Sequence, residues 1–177
     1  MPNSLRHALT RAAACCLLLS AASTALAENW PQWRGPNGDG VSGERELPFH
    51  WSEERGIRWK CPLPPSGAST PAVWDDAVFL TAHTAEDELL LLRIDANKGN
   101  EVWRRVVGTG TAVREAPKRL EQKFHRLHNL ASPSPVTDGS PVVVHFGNGD
   151  LAAYDYEGEQ LWKRNLQDDY GAYSIWW

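Results

Sequence analysis

The stretch LLRIDANKGNEVWRRVV, Leu91 to Val107, has a near-copy in LAAYDYEGEQLWKRNL, Leu151 to Leu166. Each reads as a short apolar strand, an aspartate, a glycine turn, an apolar residue, a tryptophan and a base. Asp95, Gly99 and Trp103 are spaced four and four; Asp155, Gly158 and Trp162 are spaced three and four. The halves upstream match as well. STPAVWDDAVFL from Ser69 and SPSPVTDGSPVVV from Ser132 both carry Ser and Pro, a short apolar step, an Asp-led turn and a β-rich run. Self-similarity of this kind marks a repeat architecture.

Each unit divides into four strands. The first set is predicted at about 72–74, 77–82, 89–94 and 101–106, the second at about 134–136, 141–146, 151–154 and 160–165. Asp75-Asp76, Lys98-Gly99-Asn100, Asp138-Gly139, Gly147-Asn148-Gly149 and Glu157-Gly158 supply the turns. Leu89 to Leu92 and Val142 to Val144 are continuously apolar, as strands covered on both faces are. Four-stranded sheets stacked face to face give that burial. The expected fold is therefore all-β: a β-propeller of four-stranded antiparallel blades, with about two to three blades present. No helix of convincing period stands out. The spacing between units exceeds an ordinary blade, and the excess is read as a long loop at about 108–130. A third tail, GIRWKCPL at 56–63, repeats the apolar–Trp–base pattern at Ile57, Trp59 and Lys60, and GAYSIWW at 171–177 resembles the start of a further unit. The chain is therefore expected to be an N-terminal fragment that would not hold as a stable monomer alone.

These spacings resemble the tryptophan-docking motif of the PQQ-like (quinoprotein dehydrogenase-like) β-propeller family, Ala-x-Asp-x-x-x-Gly-x-x-x-Trp. Asp95, Gly99 and Trp103 match it with Arg93 in place of the Ala; Ala153, Asp155, Gly158 and Trp162 match with one turn residue deleted. The resemblance implies that each Trp lies flat between neighbouring blades. NWPQWRGPNGDGVS, from Asn29, is similar to the entry segment of exported members. There Trp30 and Trp33 are expected to act as a clasp where the ring closes, with IRWKC completing a blade. The implied organisation is an entry segment at 28–56 followed by PQQ-like repeats at 57–177.

Ahead of these, residues 1–27 read as a signal peptide: Arg6 and Arg11, an apolar run through Cys15, Cys16 and Leu17 to Leu19, and the small-x-small site Ala25-Leu26-Ala27. The run is too short to span a bilayer, and no later segment approaches that length, so no transmembrane segment is expected. Localisation is expected to be exported, periplasmic or extracellular. Cleavage after Ala27 takes Lys plus Arg from 18 to 16 against 22 acidic residues, a net charge of −6. That excludes nucleic acid as a partner class. Only Cys61 remains, so no internal disulfide forms, and Cys61 reads as a small apolar residue.

The family's enzymes use pyrroloquinoline quinone (PQQ), calcium and a catalytic Asp. No convergent set of oxygen ligands maps onto this sequence, and the adjacent cysteines fall in the signal peptide. Asp95, Asp138 and Asp155 read as turn acceptors. His125 and His128 have metal-compatible spacing but no third ligand in view, and Arg114 to His128 reads as a solvated loop. The GDG at 38–40 and GNGD at 147–150 read as turns rather than phosphate loops. No catalytic or cofactor-binding residue is assigned, and no cofactor is predicted. The expected role is a non-catalytic binding or assembly scaffold with a protein or small-molecule ligand on the propeller face. The alternative is a PQQ- and calcium-dependent alcohol or sugar dehydrogenase whose catalytic residues lie beyond Trp177.

Overall fold

The computed structural model describes residues 27–45, 47–110 and 128–172. Residues 1–26 of the expected signal peptide, most of the 108–130 loop with His125, and the GAYSIWW tail from Tyr173 lie outside the described residues. Within them the chain is nearly all β. One antiparallel sheet has the order β1 (Ala72–Trp74), β2 (Ala77–His83), β3 (Glu88–Asp95), β4 (Glu101–Thr109). The second repeats it with β5 (Val136–Thr137), β6 (Val142–His145), β7 (Asp150–Tyr154) and β8 (Gln160–Asn165). Both are meanders of β-branched and leucine-rich segments; five of the six reversals fall at the turns read from the sequence, and β2 turns into β3 through a further one closed by Asp87 N–H to the Thr84 carbonyl. Two propeller blades result, and β1 lies against β5 while β4 lies against β7. One local feature departs from expectation: a short helix, α1 (Leu166–Tyr170), follows β8. Asn165 starts it, its side chain accepting the Gln167 N–H at 3.0 Å.

The leucine run of β3 is buried on both sides, as its lack of alternation required. Leu89 and Leu91 face the second sheet together with Phe79, Trp103 and Val107, meeting Val142, Val144, Phe146, Ala152 and Tyr154. Leu90 and Leu92 face the other way with Leu80, Ala82 and Ile94, beneath Trp59 and the partly buried Cys61. The segment 57–61 is not a strand of either described sheet; it lies on the first sheet as a cover.

The two blades share an irregularity. The β3–β4 register slips between Arg93 and Ile94, so that Val102 is the extra residue beside Trp103. The β7–β8 register slips between Ala153 and Tyr154, with Leu161 beside Trp162. A bulge of this kind bends the strand and re-aims the side chain that follows. It turns the apolar residue before each tryptophan outward: Val102 and Leu161 are both exposed.

The entry segment ties the inner strands together. Trp30 exchanges two 2.8 Å backbone hydrogen bonds with Val73 of β1, and the Pro31 carbonyl accepts the Thr137 N–H of β5 at 3.0 Å. Trp30 therefore bridges the blades, its ring against Gly35. Trp33 sits differently from Trp30. Arg34 (φ 65) and Gly35 (φ 78) fold the chain back, and Trp33 stays 63% exposed with the Arg34 guanidinium 5.4 Å from its ring centroid. A single tryptophan, not a pair, makes the tie.

Candidate functional site

The repeat residues come together at the blade interfaces. Trp103 Nε1 donates to the Tyr156 carbonyl at 2.8 Å, and its ring lies against Gly158 (φ 84). Trp59 makes the same contact one sheet earlier: Nε1 donates to the Ala96 carbonyl at 2.8 Å, with its ring over Gly99 (φ 73). Positive φ lets the glycine turn its backbone under the indole where a Cβ could not fit. Trp162, at the equivalent place in β8, is 40% exposed.

Asp95 and Asp155 do not face a ligand. Asp95 Oδ1 accepts the backbone N–H groups of Asn97 and Lys98, at 2.8 and 3.0 Å, and Asp155 Oδ1 accepts Glu159 N–H at 2.7 Å. Asp138 does the same for Ser140. The two backbone bonds, led by that from Asn97, hold the Asp95 carboxyl below its ordinary 3.8. A depressed carboxyl contributes above its unfolded pKa and loses that contribution as pH falls through the folded value. Amide exchange at Lys98 should therefore keep its protection down to pH 3.8 and lose it only in more acid solution. Asp95→Asn should remove that acid step.

Two participants carried no sequence signal. Tyr156 is the hub of the interface. Its hydroxyl donates to the Trp74 carbonyl at 3.1 Å, its ring meets Phe79 edge-on at 5.4 Å, and burial, then the Asp75 carboxylate, push its pKa up to about 12. Arg93, noted only as a departure from the motif, sits 4.9 Å from the Tyr156 ring centroid. It donates to the Tyr156 carbonyl at 3.0 Å and pairs with Asp76 at 3.2 Å.

A buried polar cluster joins β4, the β6–β7 turn and β8. Asp150, 7% exposed, accepts from Asn148 Nδ2 at 2.9 Å and Asn165 Nδ2 at 3.1 Å, with Lys163 Nζ 3.8 Å away. Gly108 leaves room for its carboxylate: a Cβ there would fall 2.0 Å from Oδ2. The amide oxygens point away, Asn148 Oδ1 to Asp150 N–H and Asn165 Oδ1 to Gln167 N–H. The carboxylate thus meets N–H donors and an ammonium, the reverse of a calcium cage, which converges oxygens on one ion. Among the described residues, no group of three or more His, Cys, Asp or Glu gathers elsewhere. These residues do not fit a calcium-bound quinone. His145, on the far face of β6, has its pKa lowered by burial, which the Asp150 charge opposes.

The candidate binding site is a groove of about 570 Å³ between the entry segment and the inner edges of the two blades. Gln32 and Trp33 form one wall; Ala68, Thr70 and the Ser132–Val136 run form the other, with His128 at its margin. Its polar groups are largely engaged within the protein. Ser132 Oγ accepts Asn129 N–H, Ser134 Oγ accepts Thr70 N–H, and Gln32 donates to the Gly35 carbonyl. What remains is the Trp33 ring, two prolines and methyl surface, the usual lining of a binding cleft.

A family model described as "Outer membrane protein assembly factor BamB" matches residues 42–176. No curated protein matches the chain. Among solved structures, a europium-containing methanol dehydrogenase is similar at 20% identity and a TM-score of 0.43, covering 62% of this chain. The chain spans 19% of that protein's length. In the described residues no helix is long and apolar enough to cross a membrane.

Proposed function

The chain belongs to the PQQ-like β-propeller family whose model is described as an outer membrane protein assembly factor, and from that premise we propose that it is an exported, non-catalytic scaffold that binds an extended polypeptide. The observation that carries this reading is the Trp33 indole, 63% exposed on the wall of the apolar groove beside Arg34. Tryptophan and arginine are the residue types that most often dominate a binding interface. Outer-membrane chains offer segments of alternating apolar and polar residues, and such a strand presents a row of side chains to a groove of this kind. Export follows from the leader ending at Ala27.

The test titrates full-length protein with a ten-residue peptide of alternating aromatic and polar residues, read by tryptophan emission. Saturable binding that Trp33→Ala weakens about tenfold or more, the loss typical of a central aromatic contact, is the expected result. Unaltered affinity in that variant would place the peptide elsewhere. Dye reduction by the same protein after addition of PQQ and calcium would overturn the scaffold in favour of a dehydrogenase.

A further inference from the structure

Residues 28–44 close into a loop whose lock is the residue just after the cleavage site. The Glu28 carboxylate Oε2 accepts from Ser42 Oγ at 2.7 Å and from Gly43 N–H at 2.9 Å. The Glu28 backbone nitrogen donates to the Glu44 carboxylate, and Glu44 N–H donates in turn to Ser42 Oγ at 3.1 Å. The loop is reinforced inside by Gly40 N–H to the Arg34 carbonyl at 2.9 Å and Val41 N–H to Asp39 Oδ1 at 2.9 Å. Its base is anchored next door. Asn29 Oδ1 accepts Asp75 N–H at 2.7 Å, and Trp30 then pairs with Val73. Glu28 therefore connects the loop that carries Trp33 to the Trp30–Pro31 stretch that ties the two blades. Ala27 and Glu28 are both exposed, so the bond between them is open to a peptidase.

While Ala27 is attached, the Glu28 nitrogen is a neutral amide with one hydrogen. Hydrolysis of the Ala27–Glu28 bond adds water across it: the hydroxyl goes to the Ala27 carbonyl carbon and a hydrogen to the Glu28 nitrogen. Near neutral pH the products are a carboxylate on the leader and an α-ammonium on Glu28, whose ordinary pKa is about 7.7–8.0. That ammonium forms where the nitrogen already contacts the Glu44 carboxylate. A neutral donor becomes a charged one with three hydrogens, and charge-assisted bonds are the stronger kind. We propose that leader removal after Ala27 is the step that latches the 28–44 loop, through a Glu28 ammonium–Glu44 carboxylate pair formed only in the processed chain. The groove wall bearing Trp33 would then be set after export. The proposal rests on the export and cleavage reading given above.

Two measurements separate that reading from the latch. N-terminal sequencing of full-length protein recovered after export should begin at Glu28; another start overturns the cleavage reading and the processing step with it. Independently, full-length protein is prepared with its first residue at Glu28, at Ala27, or at an N-acetylated Glu28, and amide hydrogen exchange is read at Val41 and Gly43. The free Glu28 form should exchange about two- to fivefold more slowly than the other two, the range an exposed ion pair supports. In Glu44→Gln the three forms should become alike. Equal exchange in all three forms, or a difference that survives Glu44→Gln, overturns the latch whatever the sequencing shows.

Discussion

Trp103→Ala is expected to lower the free energy of unfolding by about 3–5 kcal/mol, the range for removing a large ring from a packed core. The side chain is 9% exposed and lies in the cluster that joins the two sheets, 6.0 Å from the Phe79 ring centroid. Truncation opens a cavity between the blades and leaves the Tyr156 carbonyl with Arg93 as its remaining donor. Arg105, 5.3 Å from the Trp103 ring centroid and bonded to the Gly158 carbonyl, loses its stacking surface as well. Trp103→Phe keeps most of the ring and gives up the N–H, so it should cost far less, with about 1 kcal/mol for the hydrogen bond. Trp74, half-buried against Gly139 at a turn, is the internal comparison and should also lose less on truncation. Trp162→Ala, at a ring 40% exposed, belongs with Trp74 rather than with Trp103. Urea unfolding of the four variants gives the order. Equal losses at Trp74 and Trp103 would remove the blade interface as the seat of stability.

The strand pattern was readable because it is local. The four-strand units follow from turn residues and from runs such as Leu89–Leu92, and every predicted strand overlaps an observed one, the widest miss being the end of β4 at Thr109 rather than at 106. Strand ends were less accurate, since they depend on pairing partners distant in sequence. The bulges at Val102 and Leu161 were hidden in the motif spacing itself. An apolar residue before a tryptophan looks like one more core position until the extra residue turns it outward. Helix α1 escaped because it is one turn held by an asparagine cap, too short for a periodic signal.

The interface was readable in part. Asp95 accepts N–H groups within its own turn, and Gly99 and Gly158 lie under Trp59 and Trp103, contacts set by a turn and by one facing element. Tyr156 and Arg93 were missed because their importance comes from contacts across the blades, which no spacing encodes. Asn148 and Asp150 were read as turn residues; Asn148 is one, whereas Asp150 opens β7, and its burial comes with Gly108, Lys163 and Asn165 closing over it. Trp30 and Trp33 were expected to act as a pair from the resemblance of the entry segment, yet the reversal at Arg34 and Gly35 leaves Trp33 exposed while Trp30 pairs with Val73. The groove arose from that same reversal. Its lining comes from three separate stretches, around Gln32, around Ala68 and from Ser132 to Val136, so nothing in any one of them announced the others.

Gly99→Val is expected to cost about 3 kcal/mol or more, from two separable sources. Gly99 holds φ 73, a region that β-branched residues resist, and left-handed strain of this kind is of order 1–3 kcal/mol. A Cβ at Gly99 would also fall 2.3 Å from Trp59 Cδ2 and 2.5 Å from Cγ and Cε3. These are atoms of the ring body and cannot give way as a flexible chain end could. The indole must leave the glycine, break its hydrogen bond to Ala96 and uncover Leu90, Leu92 and Ile94 beneath it. Gly99→Ala meets the same ring with a smaller group and should lose somewhat less. Asn100, the next residue, is exposed, so Asn100→Val provides a β-branched control without the clash. Trp59→Ala separates the two sources. In that background Gly99→Val should cost only the backbone strain, because the ring it would strike is gone. A double-mutant cycle read by chemical unfolding therefore expects a clear coupling between positions 59 and 99. Strict additivity would mean that Trp59 does not lie over Gly99 in solution, and the correspondence between its seat and that of Trp103 would fall with it.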